Sequence, residues 1–481
     1  LPHIHHETPF DDYKDQVLLP YKLSQNGPFI AQADVDGDYL TDIFIGGAAG
    51  QAGVMMRQEQ DGAFTPTHQH AFLADAKYED MEAVFFDLDG DGDLDLYVVS
   101  GSNEFPEGDL LLEDRMYIND GSGIFSRNRA ALPDALRING QCVEAFDIDR
   151  DDDMDLFVGG RLKSGSFPIP PSSAILVNEN GILKERTQDL APFLSNLGLV
   201  TDALSDDVDG DGDEDLLVVG EWMAPVVLIN AQGKFTAKSL ASPGVGIWWT
   251  VEKGDFDNDG DRDFILGNLG WNQKFSGEHP KLAVYAGDLD NNGDNDIVLT
   301  KKVGDKELPV RGRECFSEEM PFIATRFPTY DAFAKAPLTE ILEKGQLKQG
   351  LHASINTLSS IYLRNDGGLQ FTMSVLPEYL QTGPVKAFSA QDFNGDGNLD
   401  FIYFGNHFPV EVETARYDGL LHGISFGDGK GNFGASVFSS RENPMMGDYR
   451  DICVPRRLDT GFTLILTQND GPVVQYLLPV H

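Results

Sequence analysis

One hydrophobic pattern recurs along the chain. Short apolar runs such as LDLYVVSG, MDLFVGGR, EDLLVVGEW, RDFILGN and LDFIYFGN each carry an aspartate at their second position. They are rich in β-branched and aromatic residues and too short for buried helices, so they read as buried strands. A second apolar strand precedes each aspartate-rich segment, as in AVFFD, VEAFD and AFSAQD. A third strand and a tight turn follow, as in MYINDGSGIF, AILVNENGIL, VVLINAQGKF and IYLRNDGGLQF. Asn-Gly and Asp-Gly pairs at such places are hairpin turns. The predicted unit is therefore about four short antiparallel strands, and the fold class is all-β.

Between the first two strands of each unit lies an acidic loop. Seven such loops start at Asp34, Asp87, Asp147, Asp207, Asp255, Asp288 and Asp392. Each reads D-x-[DN]-x-[DN]-G-x-x-D with a few lapses. The oxygen-bearing sets are Asp34, Asp36, Asp38 and Asp42; Asp87, Asp89, Asp91 and Asp95; Asp147, Asp149, Asp151 and Asp155; Asp207, Asp209, Asp211 and Asp215. The later loops offer Asp255, Asp257, Asp259 and Asp263; Asp288, Asp290, Asn292 and Asp296; Asp392, Asn394, Asp396 and Asp400. Calcium takes six to eight hard oxygens, and alternate side chains on a tight loop supply them. The expected cofactor is thus Ca²⁺, up to seven ions. Glycine at position 6 permits the turn, because it has no Cβ to forbid positive φ. Tyr39 and Asp152 stand there in two loops, which makes the Asp34 loop the weakest on geometry. Asn394 leaves the Asp392 loop with less charge and a lower expected affinity.

The loop starts are 53, 60, 60, 48, 33 and 104 residues apart. A period near 50–60 built from four strands is that of a propeller blade. The 33-residue step is short for a blade, so the Asp255 and Asp288 loops are expected to share one. The 104-residue step holds an insertion over 301–354, whose segment AFAKAPLTEILEKGQLKQGL has helical spacing. DICVPRRLDTGFTLILTQNDGPVVQYL repeats the strand pattern without the acidic ligands, as a metal-free last blade would. The expectation is one propeller domain over 1–481, seven-bladed, with eight as the alternative count.

Charge changes the picture of partners. Lys+Arg number 36 and Asp+Glu 78, for a net charge of −42, and the seven loops hold 32 of the aspartates. Such a surface repels phosphate backbones, so no nucleic-acid partner is expected. No apolar run reaches the ~20 residues needed to span a bilayer, and no leader pattern opens the chain. Three cysteines make no disulfide framework; Cys142 and Cys453 read as buried strand thiols. GISFG at 423–427 matches a nucleophile elbow by letter only, since a turn rather than a helix follows it. His3, His5 and His6 form a terminal cluster that reads as solvated.

The loops, with DIFIGGAAGQAG and DLFVGGR, resemble FG-GAP/VCBS repeats, the calcium-loop propeller repeats also found in integrin α-subunit heads. GDLLLEDRMYINDGSGIF, LVTDALSDDVDGDGDEDLLVVGEWMAPVVLIN, ILGNLGWNQKF and VEVETARYDGL resemble VCBS repeat proteins of Bacteroidetes, related to the cartilage acidic protein/UnbV family. The resemblance implies an exported protein at the cell surface or outer membrane. It is specific for fold and calcium, while one fold hosts many functions.

Two regions could meet a ligand. Trp222, Trp248, Trp249 and Trp271, with Asn268 and Asn272, could stack on sugar rings or could pack between blades. His407, Glu411, Glu413, Arg416, Tyr417 and Asp418 would form a mixed-charge patch with Arg311, Arg313 and Arg326 if the insertion folds over one face; these arginines could bind an anion or pair with structural carboxylates. The leading functional expectation is a non-enzymatic, extracellular binding or scaffold module for a glycan or a partner protein. The rivals are a polysaccharide-active enzyme of lyase or dehydratase type, with Tyr417, His407 and Arg416 as its first suspects, and a passive subunit of an outer-membrane secretion or uptake assembly.

Overall fold

Apolar runs that alternate with acidic turns can bury both faces only if sheets stack on sheets. The computed structural model describes the chain apart from residues 68, 135, 276–281, 344, 349, 438–446, 456–460 and 480–481. In it the strands group into successive antiparallel sheets. Blade 1 comprises Ile30–Ala33, Asp42–Ile45, Val54–Gln58 and Phe64–Thr67. Blade 2 comprises Asp80–Phe86, Asp95–Ser100, Arg115–Asn119 and Phe125–Arg127. Blade 3 comprises Gly140–Phe146, Asp155–Gly160, Ala174–Asn178 and Leu183–Glu185. Blade 4 comprises Leu199–Asp206, Asp215–Met223, Val226–Ala231 and Lys234–Ser239.

Blade 5 is built from Gly246–Gly254, Asp263–Asn268, Ile361–Asn365 and Phe371–Val375. Blade 6 is built from Val385–Gln391, Asp400–Gly405, Gly423–Gly427 and Phe433–Val437. Blade 7 has three strands, Tyr449–Cys453, Gly461–Gln468 and Val474–Pro479. The first strand of each blade contacts the first strand of the next, and that of blade 7 returns to blade 1. The fold is a β-propeller, and its ring of first strands counts seven.

The core follows the same cycle. Seven apolar clusters each lie between two adjacent blades, from Phe44, Leu96 and Tyr117 between blades 1 and 2 to Ile43, Cys453 and Ile465 between blades 7 and 1. Second strands are therefore covered on both sides, and those of blades 1 to 6 are buried along their whole length. That is why they read as unbroken apolar runs rather than alternating ones. The ring is fastened where its ends meet. Ile4 bridges Pro472, the Leu1 ammonium donates to the Val473 carbonyl at 3.2 Å, and the Val473 N–H donates to His3 O at 3.0 Å. His5, part of the terminal cluster expected to be solvated, lies fully buried in this seam.

The insertion differs from its expected form. The chain leaves blade 5 after Asn268 and rejoins it at Ile361, so the excursion begins well before residue 301. It builds a sheet of its own from Leu282–Gly287, Asp296–Val303, Lys306–Pro309 and Leu351–Ser354. The Asp288 loop belongs to this sheet and not to blade 5, because 33 residues suffice for a separate hairpin but not for a place in the ring. Short helices Arg313–Glu319, Phe322–Arg326, Tyr330–Lys335 and Leu338–Ile341 complete it. An eighth apolar cluster joins it to the ring through Leu19, Tyr21, Trp249, Phe316, Ile341 and Tyr417. No helix among the described residues is long and apolar enough to cross a membrane.

Candidate metal loops and the opposite face

Every acidic loop joins a first strand to a second strand, so those of the ring gather on one face. Each needs two left-handed residues. At position 4 these are Gly37, Gly90, Arg150, Gly210, Asn258, Asn291 and Gly395, a requirement the sequence reading missed. At position 6 they are Tyr39 (φ 67°), Gly92, Asp152 (φ 70°), Gly212, Gly260, Gly293 and Gly397. A tyrosine there is strained where glycine is not.

The turn collects the first aspartate's oxygens against backbone N–H groups. In the Asp87 loop Oδ1 accepts from Gly90 at 2.8 Å and Oδ2 from Gly92 at 2.9 Å. The position-5 side chain then accepts from the N–H two residues on, as Asp91 does from Asp93 at 3.0 Å. Carboxylate oxygens of Asp34, Asp36 and Asp42 lie within 4.8 Å of one another, as do those of Asp87, Asp89 and Asp95, of Asp147, Asp149 and Asp155, of Asp207, Asp209 and Asp215, and of Asp255, Asp257 and Asp259. This is the donor chemistry of a hard cation. The residues fit such an ion, which would supply the positive charge these crowded carboxylates lack.

The closing aspartate does a second job. In the ring it starts the second strand, is buried, and ties three segments together. Asp155 accepts from Ile148 N in its own loop at 3.1 Å and from Asn178 N at the end of the third strand at 2.7 Å. Asp95, Asp215, Asp263 and Asp400 repeat both bonds. A carboxylate has about four lone-pair sites, so capacity for a cation remains. Burial raises the carboxyls of Asp155 and Asp215 to about 7 and those of Asp42, Asp95, Asp263 and Asp296 to about 6.

The asparagine ending the third strand was read only as a turn residue. It is also a clasp to the previous blade. Asn119 donates to Val35 O at 2.7 Å, Asn178 to Leu88 O at 2.8 Å, Asn230 to Ile148 O at 2.9 Å and Asn365 to Val208 O at 3.4 Å. Each acceptor is the second residue of the preceding blade's acidic loop. Blade 6 has Gly427 at this place, and Gly431 N donates to Phe256 O at 3.1 Å instead. The signal in the sequence was the repeated N before D/E/A and G.

A second missed set lines the axis. Glu82, Glu144, Asp202, Glu252 and Asp451 sit on first strands and accept backbone N–H bonds from the next first strand. The donors are Val143 at 3.0 Å, Ser205 at 2.8 Å, Val251 at 2.8 Å, Ala390, and Ile30 at 2.8 Å. First strands of neighbouring blades share no ladder, apart from what these side chains provide. Burial pushes Asp202 and Glu252 up to about 7 and Asp451 up to about 6.

The opposite face carries the loops between second and third strands and the insertion. Here the tryptophans are mostly core. Trp248 is fully buried between blades 4 and 5, while Trp222 and Trp249 are buried beneath the insertion. Trp271 is half-buried, with its indole N–H on Ser359 Oγ at 3.0 Å; Asn272 beside it is exposed, and Asn268 is buried. Of the two readings of these indoles, packing fits Trp222, Trp248 and Trp249, which fill the ring and the base of the insertion and show no flat face for a sugar. His407 and Tyr417 are 0% and 2% exposed and pair as an isolated bridge, while Glu413, Arg416 and Asp418 around them are exposed. The insertion does fold over this patch. Arg311 is buried against Glu411 at 3.2 Å and Glu413 at 3.4 Å, so it serves structural carboxylates rather than a free anion. Arg313 caps carbonyls of Phe327 and Ala324, and Arg326 ends an exposed helical turn. Ser425 lies within a strand, hydrogen-bonded to Tyr379 at 2.7 Å, as expected of a chance letter match. The loop of the last blade, expected to lack ligands, falls at 456–460, outside the described residues.

The FG-GAP-like repeat family matches residues 34–98, 87–158 and 207–266, each match opening at an acidic loop described above. No curated protein matches the chain. Similar solved structures include the V. cholerae biofilm matrix protein Bap1, at 13% identity over 94% of this chain and 86% of that one, with a TM-score of 0.38. YCF48 bound to D1 peptide is similar at 8% identity over 99% and 98%, with a TM-score of 0.44. The Aleuria aurantia lectin AAL is similar at 8% over 75% and 98%, with a TM-score of 0.32. At these scores the likenesses say nothing of ligand or activity. The repeat matches and the closed ring agree on one description: the chain is a β-propeller carrying FG-GAP-like repeats.

Proposed function

We propose that the protein is a calcium-stabilised extracellular binding or scaffold module, which recognises a glycan or a partner protein through the face opposite its metal loops and performs no chemistry there. One observation carries this reading. The two side chains suspected of taking a proton on that face, His407 and Tyr417, are buried, while the charged groups around them, Glu413, Arg416 and Asp418, are displayed. Burial and the neighbouring Lys386, Arg450 and Arg161 hold the His407 imidazolium well below its usual range, and burial pushes the Tyr417 phenol up. Neither is placed to take a proton from a polysaccharide, so the lyase-like alternative loses two of its three suspects. Calcium in the acidic loops motivates the location, since such modules work at the roughly 10⁻⁴–10⁻³ M calcium found outside cells. The likeness of the quoted segments to Bacteroidetes VCBS proteins points the same way.

The test is a polysaccharide and surface-protein panel in millimolar calcium, read together for binding and for new unsaturated or reducing ends. Binding that is lost in Arg416→Ala, without products, supports the proposal. Products that disappear in Tyr417→Phe overturn it.

A further inference from the structure

The axis changes sign along its length. Below the opposite face lie the five axial carboxylates; at the mouth lie three cations. Arg161 follows the second strand of blade 3, Lys386 sits on the first strand of blade 6, and Arg450 on the first strand of blade 7. They line one cavity of about 20 Å³ with Gln141, Thr201 and Trp249. That volume holds about one water-sized occupant.

The charges there do not balance. Arg161 and Arg450 are 3% and 2% exposed. Arg161 pairs with Glu221 at 3.1 Å, and Tyr21 donates to the same oxygen at 2.6 Å. Arg450 pairs with Asp448 at 2.8 Å. These pairs use Glu221 Oε1 and Asp448 Oδ2, while Glu221 Oε2 and Asp448 Oδ1 are buried without a hydrogen-bond partner among the described residues and Glu7 adds its field at Arg450; Lys386 forms an ion pair with none of the three. Its ammonium stands 4.0 Å over the Trp249 ring and 3.0 Å from Nδ1 of His407. Arg450 aims at that same nitrogen from 3.1 Å. One imidazole nitrogen has one lone pair, so it cannot serve both donors. The Nε groups of Arg161 and Arg450, both buried, have no acceptor among the described residues. Removing a charge from water without a counter-charge is costly, and so is a buried donor without an acceptor.

We propose that this cavity is a resident site for a small inorganic anion of halide size, held between the Lys386 ammonium and the unsatisfied guanidinium N–H groups of Arg161 and Arg450. The ion would complete the charge balance at the axial mouth and lock blades 3, 6 and 7 to one another.

The test uses the calcium-loaded full chain. Thermal unfolding is followed in sodium chloride and in sodium gluconate at equal ionic strength. The melting temperature should rise by several degrees with chloride, saturably, and stay flat with gluconate, because an ion bound only by the native state stabilises it by mass action. Crystals soaked in bromide should show an anomalous peak in contact with Lys386 Nζ. Lys386→Met removes the surplus charge, so it should lose the chloride response and melt above the wild type in gluconate. Equal melting of the wild type in both salts, or a full chloride response retained by Lys386→Met, overturns the proposal. Should that variant not fold, the bromide map of the wild type decides: density at the axis supports the site, and its absence removes it.

Discussion

The Asp147 loop of blade 3 and the Asp288 loop of the inserted sheet, DIDRDDDMD and DLDNNGDND, share the aspartates at positions 1, 3, 7 and 9 and nearly the same turn. They differ in what surrounds them. In blade 3 the closing Asp155 reaches forward to Asn178 N, and Asn178 reaches back to blade 2. In the inserted sheet the closing Asp296 accepts, among the described residues, only from its own loop, Leu289 N at 2.7 Å and Asp290 N at 3.2 Å. The strand beside the second one there, Lys306–Pro309, pairs with Thr300–Val303 at the far end from Asp296 and ends in proline, so no asparagine covers the carboxylate. The acidic loop therefore specifies a hairpin with a cation pocket. In blades 2 to 5 the loop is joined by an asparagine at the end of the third strand, while Gln58 and Gly427 supply the same N–H in blades 1 and 6.

The largest effect should come from chelation. If the loops hold calcium, each site at a hundredfold excess over its Kd contributes about 2.7 kcal/mol, and several act together. A calorimetric scan in chelator should show the ring melting many degrees lower; an unchanged melting temperature would remove calcium from the account. Next come the closing aspartates. Asp155→Ala should cost about 4 kcal/mol, because it orphans two buried N–H groups, one in its loop and one in the third strand, and Asp296→Ala about half that, because only one of its two donors is fully buried. Denaturant unfolding in saturating calcium measures both, and equal costs would erase the distinction between ring and insertion.

The clasp is tested by Asn178→Ala, expected to cost about 1–2 kcal/mol through one lost bond to Leu88 O and one orphaned turn N–H. A neutral result would mean that apolar packing alone orders the blades. The axial carboxylates give a control that involves no loop. Glu252 faces Asp202 and Lys253, and burial raises its carboxyl to about 7. An acid whose folded pKa is raised lends stability below its unfolded pKa and loses it as pH climbs through the folded one. Glu252→Gln should therefore match the wild type near pH 4 and exceed it at pH 8, by about 1 kcal/mol after discounting for solvent in the channel. A difference that does not change with pH would contradict this. The smallest effect is Tyr39→Gly, which should gain about 0.5 kcal/mol by relieving the left-handed tyrosine, net of glycine's entropy. Tyr39 is 79% exposed, so little packing is lost, and urea midpoints would show the gain.

What was legible in the sequence was whatever repeats. Strands, acidic turns and hairpins recur seven times, and recurrence separates a device from an accident. The inserted sheet was misread because its loop carries the repeat while its strands take another order, and linear spacing holds no record of strand order. The axial carboxylates were visible as a lone acid in each of several apolar first strands, in MEAVFFD, VEAFD and TDALSD, but their meaning depends on a neighbour some 60 residues away. The tryptophans clustered within 50 residues because the bulkiest blade junction and the base of the insertion lie there. Composition could not say which way the rings face. Lys386 and Arg450 were not singled out at all, since each is unremarkable until the ring brings them to one cavity.

The seam that fastens the ring has a mechanical consequence. The first residues run antiparallel to 471–473, with Ile4 opposite Pro472, His5 N on Gly471 O and Leu1 at the outer end. Leu1 and Val473 therefore lie at the same end of the seam. Tension applied between them would load these bonds one after another, as on a zipper, rather than all at once in shear. The propeller should yield first at this join under force, at loads far below those needed to pull any single blade apart.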